Sequence, residues 1–532
     1  MDVPLREAPY RFTGGIEVNA NKDESTADRI RHTPIPGQII LPLRQHSGNA
    51  ATPLVSIGEQ VLKGQLLAAA HGSVSANIHA PTSGMIVAIS DYPVPHPSNL
   101  SDTCIRLIPD GMDMWIERPV TERDYKNLDN QTIIEIIRKH GIVGLGGAVF
   151  PTEIKLKNSQ DNRISANQKN LPDLHTVVIN GAECEPYISC DDKLMQEYAD
   201  DLLEGIGIVL QITGAERCMF AIENNKPEAL RFVKQALREY NDARIELYSL
   251  PSLYPQGGEK QLIQSLTGKE ISPNGLPLDL GYLMLNVGTI KAIRDAVIDD
   301  MPLISRVVTV TGDGIKFPQN VMAMLGTPVS ELIEFCGGYK DKQQLHQLIM
   351  GGSLMGISLH SDAVPVVKAM NCVLVSTRKN TQPKQALACI RCGECAQVCP
   401  AGLLPQQLYW YSQAKNYHEA QRFNLADCIE CGACDYVCPS HIPLVQYFRH
   451  AKSEIRQRDE QIRLAEQAKM RFEKREQRLE KIATQRAERL AAKKARTQKL
   501  ASKDSSAIDE IMQRVKQRKS SNTDRNNSGD AN

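Results

Sequence analysis

The chain has 532 residues, 42% of them hydrophobic, and its 62 Lys/Arg balance 62 Asp/Glu. That length suits roughly three to four domains, and zero net charge leaves no global field of the kind that selects nucleic acid. Eight of the 14 cysteines fall in two tight runs, which fits metal ligation in a reducing compartment better than a secreted disulfide scaffold. The start, Met1-Asp-Val-Pro-Leu-Arg-Glu7, lacks the basic and apolar regions of a signal peptide. No stretch approaches about 18 uninterrupted apolar residues, so no transmembrane helix is expected. The chain reads as cytoplasmic, reaching a membrane only through a partner.

Residues 1–125 read as β-rich. Val55–Ile89 alternates short apolar runs with Gly58, Gly64, Gly72 and Gly84, a spacing suited to short strands and tight turns. Gly58-Glu-Gln-Val-Leu-Lys-Gly64, followed by Ile78-His-Ala-Pro-Thr-Ser-Gly84, resembles the repeat of biotinyl and lipoyl carrier domains. Those domains carry a lysine at a hairpin tip. The tip here, His71–Asn77, has none, so a barrel-sandwich hybrid used as structure is expected.

Residues 126–250 change pattern. Thr132–His140 is helical, a glycine-rich loop follows, and His175–Asn180 is a short buried strand. Helices over Asp200–Thr213 and Lys226–Tyr240 alternate with strands Cys218–Ile222 and Arg244–Leu247, which implies a Rossmann-like α/β layer with a parallel sheet. Residues 251–380 hold a linking segment and a strand-rich unit from Arg306 to about Gly338. Arg378–Pro383 reads as the linker into a cysteine domain over 381–450. From Leu444 to Ser528 there is neither Gly nor Pro, and Lys452–Lys519 carries 21 Lys/Arg against 11 Asp/Glu. The tail, 451–532, is therefore expected as one long solvated helix or coiled coil fading into a disordered end at Ser520–Asn532. Its interleaved acids and scarcity of aromatics argue against nucleic-acid binding.

Cys389–Pro400 and Cys428–Pro439 each read C-x2-C-x2-C-x3-C-P. Two-residue spacing lets one tight loop wrap an iron–sulfur cage, and in two-cluster ferredoxins the fourth cysteine of each run ligates the other cluster. Two [4Fe–4S] clusters are expected: Cys389, Cys392, Cys395 and Cys438 on the first, and Cys428, Cys431, Cys434 and Cys399 on the second. Structural zinc, the competing reading, usually comes as separated C-x2-C pairs.

Gly141–Thr152, with Gly144, Gly146 and Gly147, follows one helix and opens another, so its backbone can approach a phosphate. Asn180-Gly-Ala-Glu183-Cys184-Glu185-Pro186 leaves a strand at the edge where α/β folds place ligands. The loop resembles the FMN-binding loop of the flavoprotein subunit of respiratory complex I (NuoF), with Lys155 on its closing lysine. Asn180–Pro186, Tyr254–Glu259 and Leu285–Thr289 resemble further segments of that family. Two ferredoxin-type runs after such a domain, and a carrier-like domain before it, resemble the RnfC/RsxC family of Rnf/Rsx electron-transport complexes.

That resemblance, over roughly residues 10–450, implies non-covalent FMN at Gly144, Gly146, Gly147, Lys155, Asn180, Asn286 and Thr289. It implies NADH as substrate at Glu185 and Glu259, with Phe150 against the nicotinamide, and it adds Glu183 to the cofactor set. Arg306–Gly338 resembles a soluble-ligand-binding β-grasp (SLBB) unit, expected to pack between the flavin and cluster domains. Gly351–Gly356 is expected as a turn near the flavin edge. The implied protein is an NADH-linked oxidoreductase subunit, peripheral on the cytoplasmic side of the bacterial inner membrane. Its implied partners are the other subunits of an ion-translocating complex and a ferredoxin or redox-regulator system. Leu145, Val149, Ala182 and Cys184 depart from the flavoprotein pattern, and the adenine clamp has no clear counterpart in Lys269–Pro277. A non-catalytic iron–sulfur relay without its own nucleotide site is therefore the alternative.

Overall fold

The computed structural model describes residues 3–117, 122–161, 173–273, 275–342, 345–377 and 385–523. The linker Arg378–Pro383 lies outside these, as does 524–532, most of the end expected to be disordered. Met1–Ala451 forms one compact unit and Lys452–Asn532 another.

Within the compact unit, seven short strands between Ile39 and Pro109 build two facing sheets of four and three strands, the barrel-sandwich hybrid. Ile39, Leu41, Leu67, Ile78, Ile86, Ile105 and Leu107 fill its core. The tip His71–Asn77 is pinned rather than free. Val74 O accepts from Asn49 N–H at 2.9 Å, and the Asn77 side chain donates to Lys139 O at 3.0 Å.

The α/β layer is a five-stranded, all-parallel sheet in the order Leu5–Glu7, Ile245–Leu250, Arg217–Glu223, Thr176–Gly181, Tyr282–Asn286. Both faces are covered, which explains its nearly continuous apolar strands. Val177, Ile179, Phe220 and Leu285 enter one core, while Val178, Met219, Ala221 and Met284 enter another.

Two domain boundaries therefore differ from expectation. The sheet continues past residue 250, because Tyr282–Asn286 joins its free edge and the helix Val287–Ile298 packs against Ala199–Thr213. The first residues do not belong to the barrel-sandwich unit. Leu5–Glu7 completes the other edge of the α/β sheet, and Arg31–His32 pairs with Gln319–Met324 in a fourth, six-stranded sheet. That sheet, with the helix Val329–Phe335, is the SLBB-type unit.

The cysteine region is a set of short helices: Glu394–Gln397, Pro405–Gln413, Tyr417–Arg422 and Ala433–Tyr436. Leu444–Thr523 is one helix, and from Lys452 onward it is exposed along nearly all its length. Among the described residues, no helix is long and apolar enough to cross a membrane.

Candidate flavin site and cysteine centres

Asn180 and Asn286 are register partners at the C-terminal ends of adjacent parallel strands. Asn286 caps the helix Val287–Ile298: its side-chain oxygen accepts from Gly288 N–H at 2.9 Å, and its Nδ2 donates to Asp191 Oδ2 at 2.6 Å. Thr289, in the first turn, accepts from Leu145 N–H at 2.9 Å. Asn180 Nδ2 donates to Gly257 O at 2.9 Å. Thr289 and Asn286 thus brace the glycine loop, and Asn180 braces the segment at Gly257.

The loop itself is a hairpin. Gly144 N–H donates to Phe150 O at 2.9 Å, and Ser47 of the barrel-sandwich unit donates from its backbone to Val149 O at 3.1 Å. Gly146 lies against Asn286, where a Cβ would sit 3.2 Å from the Asn286 Cβ. Gly147 faces open space, and Phe150 beside it is 36% exposed. From the helix Thr152–Asp161, Lys155 Nζ donates to Met284 O at 2.7 Å and pairs with Glu259 at 3.1 Å. An open space over a glycine loop, with a cation beside it, fits a planar ligand carrying a phosphate.

The acidic turn is directed inward. Glu183, at φ +50°, accepts from Asp191 N–H at 2.6 Å and Asp192 N–H at 3.2 Å. Burial pushes its carboxyl up to about 8, opposed by the Lys22 ammonium 3.9 Å away. Asp191 is likewise raised by burial and eased by Asn286. Glu185 accepts from Leu354 N–H at 2.7 Å and Met355 N–H at 2.9 Å, and burial raises it too. The Gly351–Gly356 turn is thus the lid over Glu185. Only a glycine fits at 352, since a Cβ there would overlap the Glu185 side chain.

Two buried lysines missed in the sequence hold this turn from below. Lys22 Nζ donates to Glu183 O; Lys226 Nζ donates to Ala182 O at 2.6 Å and pairs with Glu223 at 3.1 Å. Lys22 carried no local signal, being 161 residues from its partner, whereas Lys226 pairs with Glu223 only three residues away and reaches Ala182 across 44. Of the nucleotide residues expected from sequence, Phe150 is partly exposed and Glu259 pairs with Lys155, whereas Glu183 and Glu185 are occupied by backbone N–H groups.

The eight motif cysteines form two groups. Cys389, Cys392, Cys395 and Cys438 line one cavity with Ile390, Arg391 and Tyr409; Cys399, Cys428, Cys431 and Cys434 line another with Ile429, Leu408 and Phe448. Each group takes its fourth cysteine from the other run, and none of the eight is in a disulfide. Leu403 N–H points to Cys399 Sγ and Glu430 N–H to Cys428 Sγ, each at 3.4 Å. Burial pushes the Cys431 thiol up to about 12, so a thiolate there needs a metal's positive charge. Four thiols with backbone N–H groups on sulfur suit an iron–sulfur cage.

Tyr254 lies between these sites. It is 2% exposed, donates from its hydroxyl to Cys431 O at 2.6 Å, and also touches Glu185. Burial holds its phenol well above the usual value, so it stays a donor. Ile16, Tyr254, Cys431 and Ala433 form one apolar core with Cys184, Leu354 and Ile429 packed on it.

Residues 10–112 match the RnfC barrel-sandwich hybrid domain, 137–295 the Nuo51 FMN-binding domain, 307–358 the SLBB domain and 383–464 a 4Fe–4S dicluster domain. Three relatives, each named as the C subunit of an ion-translocating oxidoreductase complex, align with nearly the whole chain. The protein of Erwinia tasmaniensis is 44% identical over 98% of this chain and 62% of its own length. That of Pseudomonas aeruginosa is 46% identical over 90% and 60%, and that of Yersinia pestis 45% over 95% and 78%. The chain thus spans about three-fifths of the first two relatives.

Proposed function

We propose that this chain, which belongs to the RnfC family of ion-translocating oxidoreductase complexes, is the subunit through which electrons pass between NADH and that complex. The observation that carries the reading is the shared core of Ile16, Tyr254, Cys431 and Ala433, which packs a cysteine cavity directly on the flavin-binding domain. In this reading the backbone of Gly144, Gly146 and Gly147 and the Lys155 ammonium would hold the FMN phosphate side. Asn286 and Thr289 keep that loop in shape, and Asn180 fixes the backbone at Gly257. FMN, when bound, supplies two-electron exchange with a nicotinamide and one-electron exchange with iron–sulfur centres. Phe150 and Glu259 would orient the nicotinamide end. Cys389, Cys392, Cys395 and Cys438 would hold one [4Fe–4S] cluster, and Cys399, Cys428, Cys431 and Cys434 the other, the two serving as single-electron carriers. No general acid or nucleophile is needed, since the residues bind, orient and exclude water.

The same reading puts the chain on the cytoplasmic side of the bacterial inner membrane, among the membrane-embedded subunits of a complex that couples electron flow to ion movement. A ferredoxin or redox-regulator system lies downstream. The test is anaerobic purification followed by NADH addition. About one FMN per chain, with its absorbance bleaching on NADH, supports the reading. Brown protein without flavin contradicts it.

One observation favours a second reading, an iron–sulfur relay without a nucleotide site. Glu183 and Glu185 both commit their carboxylates to backbone N–H groups. Brown protein that carries clusters but no flavin, and does not respond to NADH, would favour that relay.

A further inference from the structure

The two cysteine cavities are not equivalent. The first is open to solvent: Cys392 is exposed and Ile390, beside it, is 68% exposed. The second is held at two points, by Tyr254 of the flavin-binding domain and by the N-terminal segment at Gly15. Tyr254 donates its hydroxyl proton to Cys431 O at 2.6 Å. The Tyr254 backbone pairs both ways with Ile16, at 2.8 and 2.9 Å, and neighbouring Gly15 N–H donates to Val398 O at 3.0 Å, next to Cys399. Tyr254 therefore holds the Cys431 loop directly through its side chain, while the Gly15–Ile16 segment paired with its backbone holds Val398 beside Cys399. The Tyr254 hydroxyl also lies in hydrogen-bonding contact with Glu185 of the acidic turn.

We infer that Tyr254 is the positioning residue of the second cysteine centre: its hydroxyl fixes the Cys431 loop against the flavin side and sets that centre's reduction potential. The physical ground is electrostatic. A cluster gains negative charge on reduction, and its potential follows the donors and dipoles around it. The hydroxyl proton neutralises the negative end of the Cys431 carbonyl in a site from which water is excluded. Without that proton, the bare carbonyl oxygen opposes the added electron, and the potential falls. The inference rests on the second cysteine set holding a cluster.

The experiment is an EPR-monitored redox titration of the full-length, cluster-loaded chain with a chemical reductant, so that no response to NADH is needed. The second centre's signal is identified as the one lost in Cys428→Ala. Tyr254→Phe keeps the ring and removes only the hydroxyl. It is expected to move the second centre to a more negative potential and leave the first unchanged. A ring-fluorinated tyrosine at position 254, a stronger donor of nearly the same shape, is expected to move it the opposite way. A structural role alone would move neither. Unchanged potentials in both variants, or equal shifts of both centres, overturn the inference while leaving the proposed function intact. A wild-type chain that takes up no second cluster overturns both. If Tyr254→Phe cannot be isolated, the fluorinated chain decides alone.

Discussion

Replacing Lys226 by methionine removes one member of a buried ion pair. The ammonium and the Glu223 carboxylate are both almost fully buried and 3.1 Å apart, and Glu223 Oε1 has no hydrogen-bond partner. Lys226 also donates to Ala182 O at 2.6 Å, holding the acidic turn from below. Removing one member of a buried ion pair costs about 3–5 kcal/mol, because the other charge stays buried alone. Methionine keeps most of the stem's packing, so this loss is electrostatic rather than a cavity effect. Chemical denaturation, read as the midpoint of the compact body's transition, should show Lys226→Met destabilised by about that amount. The double variant Lys226→Met/Glu223→Gln should recover most of it, the signature of a coupled pair. A single variant within about 0.5 kcal/mol of wild type, or a double variant no better than the single, would refute the reasoning.

Glu183 gives a pH dependence of defined sign. Its folded carboxyl sits at about 8, so between the ordinary carboxylate range and about 8 the folded chain holds a proton that the unfolded chain has released. Its contribution is complete at low pH and lost as pH rises through that window. Glu183→Gln should flatten this part of the stability–pH curve, and an unchanged slope would contradict it. Cys438→Ala should damage the centre built from Cys389, Cys392 and Cys395, and Cys399→Ala the other; EPR showing each variant harming its own run would disprove the crossed grouping. Lys155→Ala removes the cation beside the glycine loop and frees Glu259. Bound flavin, measured after acid extraction, should fall at least several-fold, and wild-type flavin content would exclude Lys155 from the site.

How much the sequence disclosed depended on the distance over which each signal acts. The cysteine spacing is local, and the helix from Leu444 followed from a run without Gly or Pro. The alternation of Val177, Val178 and Ile179 between two cores appears in sequence as a plain apolar strand, legible as buried sheet. The edge strand Leu5–Glu7 was not legible, because three exposed residues carry no periodicity. Nor was Arg31–His32, whose pairing depends on residues almost 300 positions away. Within the site, motif resemblance gathered Gly144–Lys155, Asn180, Asn286 and Thr289, which the fold brings together. It did not reveal that Glu183 and Glu185 point inward, since that orientation follows from the helix start at Asp191 and the turn at Leu354. Lys22 and the hydroxyl of Tyr254 act through tertiary contacts, as does the bond from Lys226 to Ala182 O.

The central claim is that electrons cross from NADH through the flavin-binding domain to the cysteine centres. The most direct measurement is EPR of the anaerobic, cluster-loaded chain, freeze-quenched after NADH addition, with and without bound FMN. The account predicts that both reduced-cluster signals grow in with FMN present and that neither grows in when the flavin is removed. Clusters that stay oxidised with NADH and FMN present, yet are reduced by dithionite, would contradict it.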